Sequence, residues 1–171
     1  TRKRTLFPYT TLFRSHIMTR SLDKTPDKPE VIIIGFEQGI PVSLNGRRMQ
    51  GLPLIERLNE IAGTHGVGRL DLIENRVVGI KSREVYEAPA AIVLLAAHRA
   101  LEEMTLARDV VRQKAALSQV YSDLIYSGRW FTDLRESLEA FMVATQKFVT
   151  GEIRVQLFKG SAMVTGKRSP Y

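Results

Sequence analysis

The sequence predicts an α+β protein, an antiparallel multi-stranded sheet covered by helices in the order ββα-ββ-ααα-ββ. Three features carry that expectation. Val31-Ile32-Ile33-Ile34 is β-branched throughout and too short for a typical helix. After Gly151, Ile153, Val155 and Leu157 alternate with Glu152, Arg154 and Gln156, the period of a strand with one covered and one wet face. Between residues 89 and 148, apolar side chains recur at helical spacing.

In chain order, Thr25-Pro26-Asp27-Lys28-Pro29 is a stiff polar lead-in, since each proline restricts its predecessor and removes a donor. The β-branched run is the first strand. A Glu37-Gln38-Gly39 turn leads to a second, Pro41-Val42-Ser43-Leu44, and Asn45-Gly46 is a hairpin signal because both residues tolerate positive φ. Leu54, Ile55, Leu58, Ile61 and Ala62 predict a helix over about 53–62, ended by Gly63, Gly66 and Gly68. Residues 69–81 hold Leu70, Leu72, Ile73, Val77, Val78 and Ile80, which predict two strands with a sharp reversal near Glu74-Asn75-Arg76. The helix predicted over 89–103 is apolar all round in its first half, which implies burial on several faces. Leu106, Val110, Leu117, Val120, Tyr121, Leu124 and Ile125 outline a long amphipathic helix, and Leu134, Leu138, Phe141, Met142 and Phe148 another. Lys159-Gly160 turns the alternating strand into a last one over 161–165.

Composition narrows the function classes. A chain of 171 residues with 44% apolar content can build one full core. Cysteine is absent, which excludes disulfides, thiolate catalysis and cysteine-ligated metal sites. The net charge of +7 is concentrated at the start, where Arg2, Lys3, Arg4 and Arg14 precede any acid; without them 21 basic residues face 18 acidic ones. That balance argues against nucleic acid as a partner. The longest uncharged apolar run, 88–97, falls well short of the roughly 20 residues that span a bilayer, and no secretory signal pattern is present, so no membrane partner and a cytoplasmic location are expected. Residues 1–20 stand apart as a basic, aromatic leader. The run Leu6-Phe7-Pro8-Tyr9-Thr10-Thr11-Leu12-Phe13-Arg14-Ser15 resembles the conceptual translation of a sequencing adapter, and the leader is expected to be disordered and without function; RNA stacking or membrane contact is the alternative.

Several apparent motifs fail on their details. Five residues separate Gly160 from Gly166 where a phosphate loop needs four, and Arg168 stands where a metal-bound hydroxyl belongs. Gly63, Gly66 and Gly68 follow a helix, whereas a dinucleotide fingerprint follows a strand. His65 and His98 lack a second ligand at metal-binding spacing, so no metal site is expected; His98 is expected to bond locally, with Glu102 four residues on. Tyr121, Tyr126, Trp130 and Phe131 read as core and edge aromatics, with a stacking platform as the alternative.

Residues 74–89 are different, packing three acids, three bases, an amide, a hydroxyl and a phenol into sixteen residues. Wedged between apolar strands and a buried helix, such groups must pair with one another or with a ligand. Glu74 can accept from an ammonium group, Tyr86 can donate and accept at one rigid position, and the helix start near Pro89 offers an end that attracts anions. An internal salt-bridge network fits the composition equally well.

This segment resembles the Glu-Asn-Arg…Gly…Lys-Ser-Arg…Tyr-Glu region of argininosuccinate synthases. The resemblance extends over about 25–171, through His65-Gly66-Val67-Gly68-Arg69, Ala97-His98-Arg99, Leu124-Ile125-Tyr126-Ser127-Gly128, Val149-Thr150-Gly151, Leu157-Phe158-Lys159-Gly160 and Arg168-Ser169-Pro170-Tyr171. It implies a ligase of arginine biosynthesis that condenses citrulline and aspartate using ATP, through a citrullyl-adenylate, to give argininosuccinate, AMP and pyrophosphate. Glu74 and Tyr86 match the citrulline-binding residues of the family's synthetase domain, with Lys81 and Arg83 as weaker supporting charges; none is assigned a catalytic role. Glu84, Ala88, Ala90 and Ala91 stand where many relatives have glycines and a threonine, which favours a helix start over a flexible loop. The resemblance further implies that residues 21–171 are part of the synthetase domain, that ATP and Mg2+ bind mainly through an N-terminal domain missing here, and that the complete protein is a homotetramer. The chain alone is then expected to be inactive. The alternative is a freestanding amino-acid-binding module, or an oligomerisation module using helices 106–126 and 134–148.

Overall fold

The computed structural model describes residues 16–171. Its eleven main elements are β1 (Glu30–Glu37), β2 (Ile40–Leu44), β3 (Arg47–Arg48), α1 (Gly51–Thr64), β4 (Arg69–Asn75), β5 (Lys81–Glu87), α2 (Pro89–Thr105), α3 (Arg108–Tyr126), α4 (Asp133–Thr145), β6 (Gly151–Phe158) and β7 (Ser161–Arg168). The α+β class and the predicted order hold, with the two-residue β3 added beyond the Asn45-Gly46 turn. Both turn residues have positive φ, 52° and 77°, the geometry that makes this pair a hairpin signal.

Five strands form an antiparallel sheet in the order β3-β2-β1-β6-β7. The first and last parts of the chain meet at its centre, where Ile32 opposes Val155 and Ile34 opposes Ile153. Because side chains alternate along a strand, Ile32, Ile34 and Phe36 of β1 and Ile153, Val155 and Leu157 of β6 face the same way and are buried. Leu54, Leu58, Ile61 and Ala62 of α1 and Val93, Ala97 and Leu101 of α2 cover them as one core. On the opposite sheet face Val31, Ile33 and Met163 are exposed.

Two expectations about burial are corrected. The first half of α2 buries a single stripe, Pro89, Ala90, Val93 and Ala97, while Leu95 is exposed; an all-apolar run reports composition, whereas the one sheet lies on one side only. Tyr126, Trp130 and Phe131 are exposed as well, although the Arg135 guanidinium sits 5.0 Å above the Trp130 ring. His98 bonds through Nε2 to Gln146 Oε1 at 2.9 Å, and its Nδ1 lies 3.8 Å from the expected partner Glu102. His65 is 2% exposed and reaches Glu30 Oε2 at 3.1 Å. No described helix is long and apolar enough to cross a membrane.

The strands β4 and β5 lie outside the main sheet as a two-stranded antiparallel ribbon. Their reversal is later than the apolar pattern predicts. Asn75 still belongs to β4, the turn spans residues 76–80, and β5 begins at Lys81. Val77 and Val78, expected in a strand against the core, are 73% and 78% exposed in the turn. The polar segment is therefore not a wedge in the core: the ribbon projects from it. At its base Gly68 lets the chain pass against the start of α2, where the Ala88 N–H donates to the Gly68 carbonyl at 2.8 Å.

Candidate functional site

The ribbon's register places Glu74 opposite Ser82, Leu72 opposite Glu84 and Leu70 opposite Tyr86. Alternation then puts Glu74, Ser82, Glu84 and Tyr86 on one face and Lys81 and Arg83 on the other. The Tyr86 hydroxyl reaches along the ribbon and donates to Glu74 Oε2 at 3.1 Å. Arg76, just past β4, folds back over the same face, donating to Ser82 Oγ at 2.9 Å and pairing with Glu84. Lys81 and Arg83 are thus not placed to support Glu74 and Tyr86 directly. Arg83 binds Asp71 across the opposite face, with its Nε 2.8 Å from Oδ1.

Outside the ribbon, the Glu74 carboxylate also raises the phenol pKa of Tyr126, the last residue of α3. The hydrogen bond to Glu74 is the leading cause that raises the phenol pKa of Tyr86 above the ordinary 10.0. Both phenols are therefore protonated at neutral pH. The hydrogen bond from Arg76, followed by that from Ser82, lowers the Glu84 pKa. With Arg76 committed to Glu84, the hydrogen bond that the Glu74 carboxylate accepts comes from the neutral Tyr86 phenol. Such a carboxylate suits a small cation, an ammonium group above all.

The α2 N-terminus does not act as the anion-attracting end that Pro89 suggested. Asn59 of α1 places Oδ1 2.9 Å from the Ala90 N–H and caps the helix internally. A cavity of about 730 Å³ lies elsewhere, beside His98, Lys114 and Gln146. Its polar groups already pair with one another: Lys114 Nζ lies 2.5 Å and Gln146 Nε2 2.8 Å from Glu102 Oε1.

Glu87 shows what the remaining acid of the segment does. Its carboxylate accepts from the backbone N–H groups of Ile17, Met18 and Thr19 at 2.6, 3.0 and 2.8 Å and from the Thr19 hydroxyl. Across the ribbon, Arg69 Nε donates to Thr19 Oγ1 at 2.7 Å. Residues 17–19 of the segment set apart by composition are thus tied to the ribbon base, while residues 1–15 lie outside the described residues. Burial raises the Glu87 pKa, but the hydrogen bonds from Thr19 and from the backbone outweigh it and hold the pKa below 4.5. A lowered carboxylate pKa stabilises the docked state above the unfolded value, and the effect is lost as pH falls through the folded one. Amide chemical shifts of Ile17, Met18 and Thr19 should accordingly stay constant from pH 7 to about 4.5 and move only below it; a transition near neutrality would contradict the assignment to Glu87.

Comparison with known proteins identifies the setting. The family model described as "Arginosuccinate synthase C-terminal domain" matches residues 9–171. The chain belongs to the argininosuccinate synthase family. It is 58% identical over 156 residues to an argininosuccinate synthase of Synechocystis sp., covering 91% of this chain and 39% of the relative. The Trichodesmium erythraeum argininosuccinate synthase is 57% identical over 152 residues, covering 89% and 38%. That of Dehalococcoides mccartyi is 54% identical over 153 residues, covering 90% and 38%. The chain thus spans less than two-fifths of the length of these relatives.

Family membership raises the question of ATP and Mg2+. Among the described residues there is no group of three or more His, Asp or Glu side chains that would hold a metal ion. The glycine-containing segment near Gly160 is the β6–β7 hairpin, with Lys159 and Gly160 both at positive φ. A phosphate loop instead joins a strand to a helix. The residues described do not fit the nucleotide or its metal.

Proposed function

We propose that the ribbon face carrying Glu74 and Tyr86 is one wall of a citrulline site in a ligase that condenses citrulline with aspartate using ATP. The products would be argininosuccinate, AMP and pyrophosphate, a step of arginine biosynthesis. The observation that carries this reading is the Glu74 carboxylate of the exposed ribbon, hydrogen-bonded by the neutral Tyr86 phenol rather than by a cation. Glu74 accepts from the citrulline α-ammonium group and Tyr86 holds the carboxylate in place. Together they aim the ureido end at the reacting centre, a contribution of alignment rather than proton transfer. Aspartate, ATP with Mg2+ and the remaining citrulline contacts belong to parts of the family's fold beyond the matched segment, as does assembly into a homotetramer.

The test is a segment exchange. The matching segment of the Synechocystis argininosuccinate synthase is replaced by residues 16–171 of this chain, and pyrophosphate release is followed with citrulline, aspartate and ATP. The exchanged protein should turn over, and the 171-residue chain alone should not. Turnover by the chain alone, or a folded but inactive exchange, would overturn the proposal.

A further inference from the structure

On the reading that the Glu74 face holds citrulline, we infer that Thr19 is a positioning residue of that site, the pin by which the chain ahead of β1 sets the direction of the ribbon. Arg69 and Glu87 stand opposite each other at the ribbon's base, and Thr19 joins them. Its hydroxyl donates to the Glu87 carboxylate and accepts from Arg69 Nε at 2.7 Å. Its backbone carbonyl accepts from Arg69 Nη2 at 3.1 Å, and its N–H donates to Glu87 Oε1 at 2.8 Å. Both charges of the base are thus spent on one buried residue that belongs to neither strand.

The pin has a fixed footing. Next to it, the Arg20 N–H donates to the Gly63 carbonyl at 2.9 Å. A Cβ on Gly63 would lie 2.1 Å from the Met18 carbonyl oxygen, so the segment crosses the end of α1 backbone against backbone. That end is anchored by Leu58, Ile61 and Ala62 in the core. The ribbon has little else to hold it. Among the described residues no helix or main-sheet strand packs broadly on β4 or β5, and two strands alone form a weak unit. The lever is long: Glu74 lies five positions along β4 from Arg69, about 17 Å at the rise of a strand. A tilt of about 5° at the base therefore carries the carboxylate about 1.5 Å, enough to break a hydrogen bond to an ammonium group. Alternation puts Glu87 on the face opposite Tyr86, so Thr19 acts through the ribbon and not by touching the substrate.

The experiment uses the segment-exchanged Synechocystis enzyme with Thr19→Val, Thr19→Ser, Glu74→Gln and the Thr19→Val, Glu74→Gln double variant. Thr19→Val keeps the branched shape and removes the hydroxyl. It should raise the citrulline KM by roughly five- to tenfold, with the ATP KM within about twofold of the parent. Thr19→Ser restores the hydroxyl and should bring the citrulline KM back to within about twofold of the parent. In the Glu74→Gln background Thr19→Val should add less than about twofold, because the contact it positions is already lost. Should Thr19→Val fail to fold, Arg69→Gln, which removes the other arm of the pin, carries the same expectations. If Glu74→Gln raises the citrulline KM but loss of the pin leaves it unchanged, shifts the ATP KM equally, or multiplies in full with Glu74→Gln, Thr19 serves stability alone while the citrulline site stands. A Thr19→Ser protein as impaired as Thr19→Val overturns the role of the hydroxyl. If Glu74→Gln itself leaves the citrulline KM unchanged, the underlying site falls, and this inference with it.

Discussion

Glu74→Gln in the segment-exchanged enzyme should raise the citrulline KM by roughly 10- to 100-fold and leave the ATP KM within about twofold. The substitution keeps the size of the side chain and one carbonyl acceptor, so the bond from Tyr86 at 3.1 Å can persist. What disappears is the charge. A hydrogen bond from an ammonium group to a carboxylate is roughly twice as strong as one between neutral groups, and the neutral amide also turns an N–H toward the same cation. Because Tyr86 is a neutral donor, it does not take over the lost charge. Initial-rate kinetics with each substrate varied in turn make the measurement. Equal and small changes in both KM values would mean that Glu74 serves only the internal hydrogen-bond network of the ribbon.

The same network marks where sequence reasoning succeeds and where it stops. Strand β1 is legible because four consecutive β-branched residues leave no helical alternative, and β6 because its alternation matches one covered sheet face. Glu74 and Tyr86 stand out because their segment is polar between apolar neighbours. Two things are not legible. Val77 and Val78 look like strand residues, since an apolar side chain carries no mark of whether a core covers it; in a projecting turn none does. The separation of Lys81 and Arg83 from Glu74 depends on register, and placing the reversal a few residues early scrambles which side chains share a face.

Gly68→Ala should destabilise the chain by about 3–5 kcal/mol and lower its melting temperature by roughly 10–15 °C. Gly68 has φ +114°, a conformation that side chains rarely adopt. A Cβ there would also lie 2.5 Å from both the N and the Cα of Pro89. Those atoms are backbone at the first turn of α2 and cannot swing aside as the tip of a long side chain would. Relief requires α2 to retreat, which would pull Ala90 and Val93 from a core where both are buried and weaken the Ala88-to-Gly68 hydrogen bond. Gly79 in the ribbon turn separates the two contributions. It too has positive φ, +83°, but a Cβ there meets nothing within 4 Å. Gly79→Ala should therefore cost only backbone strain, about 1 kcal/mol and a few degrees. Thermal unfolding of both variants gives the comparison, and melting temperatures within about 2 °C of each other would show that α2 yields freely. A large gap would establish that the ribbon is anchored by close backbone approach at Gly68, the contact from which the position of the Glu74 face follows.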